Sequence, residues 1–61
     1  MNNYNPYVCD FALEAKKAKK WTKEQLLFNI QQAREAYLAG VNPDKYIDQI
    51  SVYKAELAKR R

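Results

Sequence analysis

Side chains able to do chemistry are few in this chain, and their spacing is the first constraint on its function. The 61 residues include no His, one Cys (Cys9), one Ser (Ser51) and one Thr (Thr22). No nucleophile, base and orienting group can be assembled from these, and a Cys/His metal site is excluded. Seven carboxylates remain, but without EF-hand spacing or the paired-helix spacing of a carboxylate metal centre. The sequence therefore predicts a protein that binds rather than catalyses, with no cofactor and no metal.

The second chemical resource is positive charge. Eleven Lys and Arg face seven Asp and Glu, for a net charge of +4, and the excess is unevenly spread. Lys16, Lys17, Lys19, Lys20 and Lys23 surround Trp21, while Lys54, Lys59, Arg60 and Arg61 close the chain. Such a cluster suits an acidic protein surface, or nucleic-acid phosphates with Trp21 stacking on an unpaired base. It equally suits helix C-termini, whose dipoles favour cations. Arg is scarce among the basic residues, and no Asn or Gln is clearly placed on a recognition helix, which disfavours base-specific reading.

Cys9 has no partner within the chain and reads as a small buried hydrophobe, so an oxidising compartment is not implied. No apolar run approaches the roughly eighteen residues of a membrane span, and the N-terminus lacks a signal-peptide core. A cytoplasmic protein without a membrane partner is expected.

One Gly, two Pro and abundant Ala, Lys, Leu and Gln point to an all-α fold. The chain reads as one helical domain over residues 1–61, with a loose polar arm over 1–5. Asn5-Pro6 has the form of an N-cap followed by proline at the first helical position, predicting an N-terminal helix over about 6–20. Its apolar stripe is Val8, Phe11, Ala15 and Ala18.

The second helix, about 22–39, has the sharper signal. Thr22 and Gln25 fit a capping box, and Trp21 and Leu26 fit the hydrophobic staple around it. Gly40 is placed to end this helix, and Asn42-Pro43 to begin the next, which runs over about 43–59. Leu26, Ile30, Ala33 and Tyr37 form one stripe; Tyr46, Ile50, Tyr53 and Leu57 form another with the same spacing. Folding the chain back between Val41 and Asn42 brings Leu26 to Leu57, Ile30 to Tyr53, Ala33 to Ile50 and Tyr37 to Tyr46. Small Ala33 opposite large Ile50 is the alternation a close seam favours. An antiparallel two-helix hairpin follows, and it gathers both basic clusters at its open end.

A two-helix seam is thin, so a third surface is required. Leu27, Leu38, Ile47 and Ala58 flank the seam on one side, and the N-terminal helix is expected to cover them with Val8, Phe11 and Ala15, closing a small three-helix bundle. Phe28 and Val52 fall outside this scheme: Phe28 points about 200° from Leu26, and Val52 about 240° from Tyr46. Leu13 also faces away from its helix's stripe. With Tyr4 and Tyr7, these residues form the candidate partner face, for another protein or for a second copy.

In size and outline the chain resembles the short helical-hairpin regulators and inhibitors that bacteria and their phages use to block a larger enzyme. The likeness is one of shape and carries no motif. The expectation is a small protein-interaction module, regulatory or inhibitory, with nucleic-acid binding at the basic end as the alternative.

Overall fold

Three local devices fix where the helices begin and end. The structure, a computed structural model, describes residues 8–60. The expected arm, the Asn5-Pro6 cap, Tyr4, Tyr7 and Arg61 lie outside the described residues. Helix α1 spans Phe11–Lys20, α2 spans Lys23–Leu38 and α3 spans Pro43–Lys59.

Helix α1 starts later than Pro6 suggested. Val8–Asp10 are not helical, and Asp10 is the N-cap, its carboxylate accepting a hydrogen bond from the Leu13 amide at 3.1 Å. Aspartate at this position also meets the positive end of the helix dipole, so it competes well as a start signal.

Helix α2 opens with the expected capping box. The Gln25 amide donates to Thr22 Oγ1 at 3.1 Å, and the Thr22 amide donates to Gln25 Oε1 at 2.9 Å. It closes in a Schellman motif: the Val41 amide donates to the Ala36 carbonyl and the Gly40 amide to the Tyr37 carbonyl. Gly40 has φ 79°, a left-handed conformation that costs glycine little.

Asn42 then departs from its expected role. It stands before Pro43 at the head of α3, but with φ 44° and no side-chain cap. Its contribution is the backbone turn itself, since Asn tolerates the left-handed region better than most residues. Two left-handed residues within three positions reverse the chain.

The hairpin seam closes over most of its stripes, but Tyr37, expected against Tyr46, is 39% exposed, because it lies at the turn end, where no third helix covers it among the described residues. Leu26, Ala33, Ile50 and Tyr53 are buried; Ile30 and Leu57 are half-buried and pack on the same core. The docking of α1 corrects the expectation. α1 packs mainly against α3, sharing with α2 only the core around Ala18 and Leu26, and its buried residues are Glu14 and Ala18. Val8 and Phe11 stay exposed. Instead of covering Leu27, Leu38 and Ile47, α1 lies along the other flank of α3, where Val52 packs against Ala18, Leu26 and Tyr53.

Polar contacts explain that choice. Tyr53 Oη donates to Glu14 Oε1 at 2.6 Å across the α1–α3 contact, with both residues buried. Arg60 Nη2 donates to the Ala18 carbonyl at 2.9 Å and the Lys19 carbonyl at 3.3 Å, satisfying the C-terminal end of α1. Trp21 meets the Tyr53 ring edge-to-face at 5.2 Å between centroids. The result is a three-helix bundle of flattened form, with Cα extents of 32 × 31 × 14 Å. Among the described residues, no third helix lies on the flank of the hairpin that α1 leaves open.

Candidate functional site

The uncovered flank is built by residues one step round from the seam. On α2, Arg34 and Leu38 follow the stripe residues Ala33 and Tyr37; on α3, Ile47 and Lys54 follow Tyr46 and Tyr53. With no α1 above them, they leave an open groove of about 380 Å³ between the helices. Ile30, Tyr37, Leu38, Ile47 and Ile50 supply its apolar lining, and Arg34 on α2 and Lys54 on α3 are its charged residues. Leu38 is 71% exposed and Ile47 41%. A floor that open leaves a small molecule in water, whereas typical ligand sites enclose most of their ligand. A rod of comparable length fits better: Ile30 to Leu38 covers about 12 Å of helix axis.

Neither Arg34 nor Lys54 forms an ion pair among the described residues, where the two pairs are Lys17–Glu14 and Arg60–Glu56. The core is otherwise complete. Among the described residues, every buried side-chain polar atom has a hydrogen-bond partner.

The face expected for partner binding is redistributed. Val52 is half-buried under α1 and is withdrawn from that face. Leu13 and Phe28 are exposed, at 40% and 63%, but on two helices that share only the core around Ala18 and Leu26. The fold does not gather the three into one patch. Tyr37, Leu38 and Ile47, by contrast, do share a surface, although their spacing predicts them in the seam or beneath α1.

The basic end does converge. Contact of Arg60 with the Ala18 and Lys19 carbonyls brings the end of α3 to the end of α1, beside the start of α2. Lys16, Lys19, Lys20, Lys23 and Lys59 are exposed there. Three of the expected anion-binding residues have other engagements: Arg60 holds carbonyls and pairs with Glu56 at 3.1 Å, Trp21 packs on the core beside Tyr53, and Lys17 pairs with Glu14 at 3.3 Å. Trp21 is half-buried, so only part of its ring faces solvent.

Among the described residues, Tyr53 and Glu14 form a buried hydrogen-bonded pair. Burial and the hydrogen bond to Glu14 push the Tyr53 hydroxyl well above its ordinary range. Cys9 is half-buried nearby, and burial followed by the negative field of Glu14 raises its thiol as well, which makes it a poor nucleophile. Among the described residues no three His, Cys, Asp or Glu side chains converge on a metal-sized site. No helix there is long and apolar enough to cross a membrane. Comparison of the chain with protein-family models, curated proteins and solved structures finds no match.

Proposed function

We propose that the protein is a small interaction module that acts by docking a larger protein through the open flank of the α2–α3 hairpin. The observation that carries this reading is that flank itself: Leu38, Ile47 and Tyr37 are exposed together along a groove that α1 leaves uncovered. Exposed apolar residues gathered in one concave strip favour a macromolecular partner more than the same residues scattered singly. A chain without a catalytic set acts on its partner by occupancy, which fits a regulator or an inhibitor.

Affinity capture with mass spectrometry, run in parallel on the wild type and Leu38→Asp, tests this. A partner held by the wild type and lost by the variant, at unchanged thermal stability, is the expected result. Equal capture by both variants removes the groove from the function.

A second reading places an anionic polymer at the basic end, supported by the five exposed lysines there. It expects binding that weakens steeply with salt and is lost in Lys19→Glu/Lys20→Glu, with Leu38→Asp unaffected.

A further inference from the structure

Resting on the groove reading above, we infer that the occupant is an amphipathic helix of another protein, carrying carboxylates beside its apolar stripe. Three observations converge. The groove runs between two helices and spans about two turns, so a third helix can lie in it as helices do in each other's grooves. Its charged residues are both cationic, one on each wall, and neither is paired within the described structure. The whole chain carries +4, which draws acidic surfaces and repels basic ones.

The same facts disfavour a second copy as occupant. A two-fold dimer across this flank would set Arg34 and Lys54 against their own counterparts, and no carboxylate lines the groove to receive them. Two copies at +4 would add long-range repulsion. Acid-flanked helices from a different protein meet neither obstacle. Apolar residues at i, i+3, i+4 and i+7 would sit on Tyr37, Leu38 and Ile47, with Glu or Asp on each side facing Arg34 and Lys54.

A displayed library of amphipathic peptides, about fourteen residues long, tests the inference against the full 61-residue chain. The Leu stripe is fixed, and the flanking positions are drawn from Glu, Lys, Gln and Ser. Wild type is expected to enrich Glu on both flanks. Arg34→Glu/Lys54→Glu should reverse the preference to Lys and weaken the best acidic peptide about tenfold or more. Both positions are exposed, so the folded state should survive, and thermal melting verifies it. Peptides captured without charge preference, yet lost in Leu38→Asp, would overturn the acidic partner while leaving the groove as a docking site. Capture unaffected by Leu38→Asp would sink both ideas. Sedimentation showing a dimer that Leu38→Asp dissolves would give the groove to a second copy. Displacement of the peptide by a single-stranded oligonucleotide would give it to nucleic acid, and either result ends the proposal.

Discussion

Helix α3 presents two flanks, and they are treated differently. One carries Val52, Glu56 and Arg60 and receives α1; the other carries Ile47 and Lys54 and receives no helix among the described residues. By apolar content the second flank looked the better dock, since Leu27, Leu38 and Ile47 all border it. The first flank won because it offers hydrogen bonds with direction. Tyr53 finds Glu14, and Arg60 finds the free carbonyls of α1. Hydrophobic burial is non-directional, so it sets how much surface is covered more than which surface. Specific polar contacts then choose the side, and the unchosen side is left for a partner.

Four substitutions sharpen or break this contrast. Leu26 is fully buried where α1, α2 and α3 meet, so Leu26→Ala should reduce stability by about 2–5 kcal/mol in denaturant unfolding. Next is Tyr53→Phe, which leaves the Glu14 carboxylate, 6% exposed as a residue, without its hydroxyl donor; a loss of about 1–3 kcal/mol is expected. This pair also predicts a pH dependence. The folded-state pKa of Tyr53 is raised, so its contribution is complete below the unfolded value of about 10. Stability should fall as pH climbs above that value, because the unfolded chain releases the proton first. Thermal melts from pH 9 to 12 should show that decline, and Tyr53→Phe should flatten it.

Arg60→Gln comes third, at about 1 kcal/mol, through the carbonyls of α1 that it leaves to water. Hydrogen exchange should locate that loss in α1 rather than in the hairpin. Smallest is Leu38→Asp on the open flank, expected within about 0.5 kcal/mol of wild type. A large destabilisation there would mean that the flank is not free, and the contrast would fail.

Much of the hairpin was legible in the sequence because its signals are local. Thr22 and Gln25 lie three residues apart, Gly40 ends the helix it follows, and the two apolar stripes share one spacing. The position of α1 was not legible, for an equally physical reason. Glu14 and Tyr53 are 39 residues apart, and Arg60 and Ala18 are 42 apart. A glutamate and a terminal arginine ordinarily read as solvated, so nothing local marks them as the ties between helices. Val52 was misassigned with them, since its direction from α3 was clear but its cover was not. The groove followed from that same step: it exists only because α1 went elsewhere.

The long reach of the Arg60–Ala18 tie bears on the order in which the molecule assembles. The hairpin closes over a short turn, whereas the tie must wait for a loop of 42 residues to be drawn together. The hairpin is thus the unit able to form first, and α1 the piece that arrives last and departs first. Transient release of α1 would bare Val52 and Tyr53 and open the core that Ala18 shares with Leu26, giving the molecule a second, short-lived face that its resting form conceals.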